Sequence, residues 1–228
     1  MFKDTSVLES MPLFHDLNRK DLISLLQCLS VSKKKFSQGE IIFLAGESID
    51  RIGVILQGKI TIVKEDLLGN RSILAEFGKG SIFGEAFAFS KNQKLSVTAI
   101  SASESEVLFI DAKKIFTFCA SACSYHSKLI ENMLEIIANK NIILNEKIDV
   151  LSKRTIRNRL LSYLQIQSQK TGATHFSISF NRQELADYLC VDRSALSNEL
   201  SKLHNEGFFS VSRNEFSLNI YNEFNKKR

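Results

Sequence analysis

No run of apolar residues in the 228-residue chain approaches the length of about 20 that a bilayer demands, so no transmembrane helix is expected. Cysteine is scarce. Cys28, Cys119, Cys123 and Cys190 show no disulfide-framework spacing, which suits a reducing cytoplasm. The opening stretch MFKDTSVLESMPLFHDL carries acids and has no small-residue cleavage site, so no signal peptide is expected. His15, His126, His175 and His204 form neither a ligand spacing nor a nucleophile pair. With no zinc motif, P-loop or catalytic triad, the expectation is a protein that is not an enzyme and holds no metal or cofactor. Proline occurs once, at Pro12, and glycine is missing from residues 85 to 171, so a long middle stretch has no backbone breaker. Apolar residues, by contrast, make up 44% and include 17 Phe, enough for a packed core and against general disorder.

The formal net charge of +5 is unevenly spread. Residues 1–150 hold 18 basic and 18 acidic side chains, whereas residues 151–228 hold 12 and 7. A neutral body with a cationic end fits a polyanion partner at that end, or simply a solvated basic surface. Eight of the ten glycines fall between Gly39 and Gly84. Within that region short apolar runs alternate with turns: IIFLAG, IGVILQGKITIV, SILAEFGKGSIFGE, LSVTAI and SEVLFI. GKITIVK alternates strictly, as a half-buried strand does. Antiparallel strands in a sandwich, roll or barrel are the expectation, preceded by a helix over Asp16–Leu29.

From about Ser124 to Leu151 one row runs Ile130, Leu134, Ile137, Asn141, Leu144, Ile148, Leu151, spaced 4, 3, 4, 3, 4, 3. That is a heptad seam, and a polar Asn on it fixes register and oligomer state. A second row, Leu129, Met133, Ile136, Ile143 and Val150, is available to pack on the chain's own body. Two apolar rows predict a long helix that pairs with a second copy.

Asn181-Arg182-Gln183-Glu184 has the form of a capping box opening a helix, with Leu185, Ala186 and Leu189 facing inward. Cys190-Val191 makes a break, and Asp192 caps the next helix, Arg193 to Leu203. Its apolar side, Leu196, Leu200 and Leu203, leaves Arg193, Ser194, Ser197, Asn198 and Lys202 outside. Two short helices crossing at a small residue form a helix-turn-helix, whose second helix enters the major groove. Arg pairs bidentately with guanine and Asn with adenine. THFSISF and FFSVSRNEFSLNI alternate like hairpin strands, the latter turning at Arg213-Asn214. The result is a winged helix-turn-helix.

These parts, in this order, resemble the bacterial transcription regulators of the cyclic-AMP receptor protein/FNR family over about residues 12–222. The resemblance rests on Gly39-Glu40, Gly46-Glu47, Gly58-Lys59-Ile60, Gly80-Ser81-Ile82-Phe83-Gly84-Glu85 and Leu95-Ser96-Val97-Thr98-Ala99. In the second half it rests on Arg182-Gln183-Glu184-Leu185-Ala186 and Asp192-Arg193-Ser194. It implies an α+β chain in three parts. These are an effector-sensing antiparallel β-roll of the cyclic-nucleotide-binding type (a double-stranded β-helix) over 1–123, a dimerisation helix over 124–152, and a winged helix-turn-helix over 153–228. The implied protein is a homodimeric, cytoplasmic DNA-binding regulator acting on inverted repeats, with RNA polymerase as a further partner. Arg193, Ser194, Ser197 and Asn198 are expected at bases. Arg182, Lys202, Arg213 and the Lys226-Lys227-Arg228 tail are expected at phosphates.

The resemblance also implies an effector cradle at Gly84, Glu85, Leu95 and Ser96, with Asn141 contributing across the subunit boundary. Gly84-Glu85 would lie beside a ribose. The family's phosphate-holding Arg is replaced by Leu95, which offers neither cation nor donor fork. Lys94 is next to it but points to the opposite face of a strand. Cyclic AMP and cyclic GMP are therefore not expected, and the effector, if any, is another small molecule. A ligand module without useful DNA binding and a DNA binder needing no effector are the alternatives. Phe77, Phe83, Phe87 and Phe89 either line an apolar pocket or fill the roll, and filling is the expectation. Residues 1–27 have no Cys, so no iron–sulfur cluster of the FNR type is expected. Cys119 and Cys123, four apart, are read as inert thiols, with a redox or metal role as the alternative. Ser194 and Asn198 stand where many members have an acid and a second Arg, so the operator should differ. Cys190 stands where the turn has Gly, which predicts a strained turn.

Overall fold

The computed structural model describes residues 5–65, 71–90, 93–116 and 124–219. The chain divides into two units, Met1–Ala138 and Asn139–Arg228.

The first unit opens with α1 (Ser6–Glu9), a 3-10 turn at Pro12–Phe14 and α2 (Arg19–Cys28). Then follow β1 (Ser32–Phe36), β2 (Ile41–Phe43), β3 (Arg51–Gln57), β4 (Lys59–Glu65), β5 (Arg71–Gly78) and β6 (Ile82–Phe83). After these come α3 (Glu85–Ala88), β7 (Thr98–Ser101), β8 (Ser105–Asp111) and α4 (Ala112–Phe116). The strands form two antiparallel four-stranded sheets, ordered β1-β8-β3-β6 and β2-β7-β4-β5. This is the β-roll of the α+β expectation.

The apolar run of β3 is continuous because the strand is covered on both faces. Ile52, Val54 and Leu56 meet a helical core built from α1, α2 and the start of the long helix. Ile55 faces the roll's interior with Phe36, Phe43, Ile60, Phe83, Leu95, Ala99, Val107 and Phe109. β8 divides in the same way, Leu108 and Ile110 to one core and Val107 and Phe109 to the other. A side-chain period of two explains both divisions. Gly53 must be glycine, since a Cβ there would lie 2.4 Å from the Phe83 ring.

α5 (Ser124–Ser152) runs through the boundary between the units. Leu129 and Met133 are buried in the helical core of the first unit. Asn132 is buried and donates from Nδ2 to the carbonyls of Leu13 (3.1 Å) and His15 (2.8 Å). Val150, near the other end, is buried in the second unit. That unit continues with α6 (Ile156–Thr171), β9 (His175–Ser177), α7 (Arg182–Leu189), α8 (Arg193–Asn205), β10 (Phe209–Ser212) and β11 (Glu215–Leu218). Its strands are antiparallel in the order β10-β11-β9. Its core joins Leu160, Tyr163 and Leu164 to Leu185, Ala186, Leu189, Leu196, Leu200, Leu203, Phe209 and Phe216. Burial there pushes the Tyr163 phenol pKa up. Among the described residues no helix is long and apolar enough to cross a membrane.

Some expectations need correction. The first long helix starts at Arg19 rather than Asp16. Asp16 sits at φ 60°, and Asn18 caps the helix by accepting from the Asp21 amide at 2.9 Å. β1 begins at Ser32, ahead of the expected strand region, because its three lysines hide it. As an edge strand it keeps Lys33, Lys34 and Lys35 in solvent. Ile143, assigned to the row packing on the chain's own body, is exposed. α6 shows no strong motif in the sequence, yet it supplies Leu160, Tyr163 and Leu164 to the core.

Candidate nucleic-acid interface and effector cradle

The helix-turn-helix is built by two caps. The capping box at α7 is complete: Asn181 accepts from the Glu184 amide at 3.0 Å, and Glu184 accepts from the Asn181 amide at 2.7 Å. α7 ends at Cys190, which adopts φ 52° and ψ 53°, the left-handed conformation expected for a residue at a glycine position. The Val191 amide reaches back to the Ala186 carbonyl at 3.0 Å. Asp192 then caps α8, accepting from the amides of Ser194 (2.8 Å) and Ala195 (3.2 Å) and from the Ser194 hydroxyl. The Ser194 hydroxyl, foremost, and the two amides hold the Asp192 carboxyl below its ordinary pKa.

α8 buries Leu196, Leu200 and Leu203 and exposes Arg193, Ser194, Ser197, Asn198 and Lys202 on the other side. The side chains of Arg193 and Asn198 make no hydrogen bond or ion pair among the described residues, so they are free to meet a ligand. Ser194 already spends its proton on Asp192, which leaves its oxygen as an acceptor.

The wing is the β10–β11 hairpin, register Ser212 against Glu215, with Arg213 exposed at its tip in a left-handed conformation, φ 54°. Arg182 does not point outward as a phosphate ligand would. Its Nη2 donates to the Arg213 carbonyl at 2.8 Å, and its guanidinium carbon lies 5.6 Å from the Phe216 ring centroid. Nη1 is buried with no hydrogen-bond partner among the described residues, and burial lowers the pKa of the guanidinium. Arg182 thus ties the wing tip to the start of α7. No simple sequence signal separates an arginine that turns inward from one that does not. The Lys226-Lys227-Arg228 tail lies outside the described residues.

In the roll, Gly84 adopts φ 84° at the start of α3, where a Cβ would come within 3.0 Å of Phe43 and 3.1 Å of Ile49. Glu85 is half-buried and Ser96 exposed. Leu95 is 5% exposed and shares the interior cluster with Phe43 and Phe83. Its backbone is fixed by bonds to Glu47 and Gly46, both 2.8 Å. Lys94 is exposed, but not by strand alternation: the strand expected from Leu95 begins only at Thr98, and Lys94, Leu95 and Ser96 lie in the loop before it. The cradle positions therefore border the Phe cluster, and the one that would need a cation is occupied by a buried leucine. Phe77 and Phe87 pack against the same cluster. Phe89 does not; it packs on the helical core and edge-on to Phe116 at 5.1 Å. Asn141 is exposed on α5, in the second unit, and accepts from Asn145 Nδ2 at 2.9 Å. Of the heptad row, Leu134 (62%), Leu144 and Ile148 (65%) are mostly exposed, Ile137 is about one-third exposed, and Ile130 packs partly on the helical core. Cys119 and Cys123 lie outside the described residues.

Comparison with known proteins agrees with this geometry. Residues 33–122 match the cyclic nucleotide-binding domain model and residues 158–222 the Crp-like helix-turn-helix domain model. The chain is 23% identical over 201 residues to the cyclic AMP receptor protein of Thermus thermophilus, covering 88% of each. It is similar to the structure of OCPA-complexed CprK (TM-score 0.65, 14% identity, 88% of this chain and 91% of that one). It also resembles the c-di-GMP responsive regulator CLP of Xanthomonas campestris (TM-score 0.59, 17% identity, 88% and 99%). A β-roll of cyclic nucleotide-binding type followed by a winged Crp-like reading head makes this chain a member of the cyclic-AMP receptor protein/FNR family of transcription regulators.

Proposed function

We propose that the chain works as a cytoplasmic homodimer that binds an inverted-repeat operator and is governed by an effector other than cyclic AMP or cyclic GMP. The observation that carries DNA reading is the solvent face of α8, where Arg193 and Asn198 stand uncommitted at the end of the helix that enters the groove. Arg193 reads guanine, Asn198 adenine, and Ser194 and Ser197 add shorter polar contacts. Lys202 and Arg213 meet phosphates, while Arg182 serves by holding the wing. The two reading heads of a dimer address grooves about 34 Å apart.

Dimerisation is supported by the exposed row Leu134, Ile137, Leu144 and Ile148, interrupted by Asn141. A solvent-facing apolar row of heptad spacing on one helix fits a parallel partner with the same row. Family resemblance adds RNA polymerase as the downstream partner.

The effector proposal rests on Leu95. A phosphodiester needs a fixed cation or donor fork, and burying a phosphate against leucine and phenylalanine leaves its charge unpaired. Effectors differ among similar proteins: CprK is complexed with OCPA, and CLP responds to c-di-GMP. A second reading, DNA binding with no effector at all, is favoured by the packing of Phe83 onto Gly53 inside the roll.

Fluorescence anisotropy with enriched and random duplexes at fixed salt tests the first claim. Specific binding should exceed non-specific binding by about a thousandfold or more. Equal affinity for every duplex, or a monomer by sedimentation, would overturn it. Calorimetric titration with cyclic AMP should give no isotherm, and a tight one would overturn the effector proposal.

A further inference from the structure

Arg159 lies on α6, and its side chain is turned to the backbone of two other segments. Nε donates to the Lys153 carbonyl at 3.0 Å, in the turn that follows α5. Nη1 donates to the carbonyls of Leu189 at 3.1 Å and Cys190 at 3.4 Å. Those two carbonyls close α7, where the last groups of a helix have no intrahelical partner. Cys190 holds a left-handed conformation that a side chain disfavours, so the turn needs outside support. The turn after α5 is also held elsewhere: Lys153 pairs with Asp149 at 2.8 Å, and Asp149 accepts from Ser162 at 3.4 Å.

We propose that Arg159 is a positioning residue for DNA reading. It is a rigid fork that joins the end of α5 to the helix-turn-helix turn, so that the two move as one piece. Guanidinium suits this role because its donors are planar and fixed relative to one another, whereas an ammonium is a single point charge. If the end of α5 shifts against the turn, one arm of the fork must break and leave a carbonyl unpaired. Displacement of the helix end is therefore delivered to Cys190, three residues before Arg193. In this way an event sensed elsewhere in the protein reaches the first turn of α8. The inference rests on the DNA-reading proposal above, but its structural half can be tested without DNA.

The test uses the full chain and four proteins: wild type, Arg159→Lys, Cys190→Gly and the double variant. Amide hydrogen exchange is read at Lys153 and Val191, with far-UV circular dichroism as the check on folding. Arg159→Lys keeps length and charge and should remain folded. It should speed exchange at both amides together, by about tenfold. Cys190→Gly added to it should restore protection at Val191 but not at Lys153, since glycine relieves only the turn. A response at one amide alone, or at neither, overturns the proposal. On a duplex enriched from a random library by the wild type, Arg159→Lys should lose about tenfold in specific affinity. Its non-specific affinity and salt slope should be unchanged, because no phosphate contact is lost. A reduced salt slope would make Arg159 a phosphate ligand and overturn the positioning role. A wild type that selects no duplex would sink the DNA-reading proposal, while the exchange result would still decide the coupling.

Discussion

The roll and the winged unit treat their polar and apolar positions in opposite ways. In the roll, the position that a nucleotide-binding relative of this pattern would fill with a cation holds Leu95, sealed among Phe43, Phe83 and Phe109. In the winged unit, α8 keeps Leu196, Leu200 and Leu203 inside and leaves Arg193 and Asn198 in solvent, with no partner among the described residues. The roll uses Leu95 as core, whereas the winged unit keeps Arg193 and Asn198, the proposed base readers, apart from core. A change in the first should therefore appear as stability, and a change in the second as binding.

The largest effect should come from the helix that serves both units. Leu134→Glu with Ile148→Glu puts like charges on the exposed heptad row. It should give a monomer by sedimentation and reduce operator binding about a thousandfold, to the non-specific level. Gly53→Ala sharpens the comparison from the roll's side. The new Cβ meets the buried Phe83 ring, so urea unfolding should report a loss of about 1–3 kcal/mol with duplex selectivity kept. Arg193→Ala is its mirror image. Thermal stability should hold, while binding to the best duplex falls by about 1–3 kcal/mol and one base position relaxes. Uniform weakening on all sequences would break the distinction.

Smaller effects concern the caps. Asn181→Ala removes one side of the capping box and should lower the stability of the winged unit by about 1 kcal/mol in a thermal melt. Asp192 and Glu206 have pKa values held down, the first chiefly by the Ser194 hydroxyl and the second chiefly by Arg157. A depressed carboxyl contributes in full above its unfolded pKa and loses that contribution as pH falls through the folded value. Melting temperatures should thus be flat in these two groups from neutral pH to near 5 and decline below about 4. Asp192→Asn should flatten that decline.

The parts of this design that local pattern controls were legible in the sequence. The i, i+4, i+7 spacing of Leu196, Leu200 and Leu203 fixed which side of α8 faces out. That β4 is a strand and that the chain turns at Arg213-Asn214 were equally open to reading, although burial in β4 does not alternate and only Ile60 is buried. Three lysines concealed β1, because an edge strand tolerates charge that a central strand would not. The Leu spacing places the start of α2 three residues before its actual start at Arg19, since it continues through a backbone that Asp16 turns to positive φ. The destinations of Arg159 and Arg182 were beyond sequence reasoning altogether. Both guanidiniums end on carbonyls of distant segments, and only the tertiary fold brings those carbonyls within reach.

The unbroken α5 has a practical consequence. Its Leu129 and Met133 belong with the roll and its Val150 with the winged unit, so severing the chain just before Ser124 or just after Ser152 strips one half of an anchor. Expression of either half alone should succeed best when the gene is divided at codons 138 and 139, inside a rod rather than in a loop.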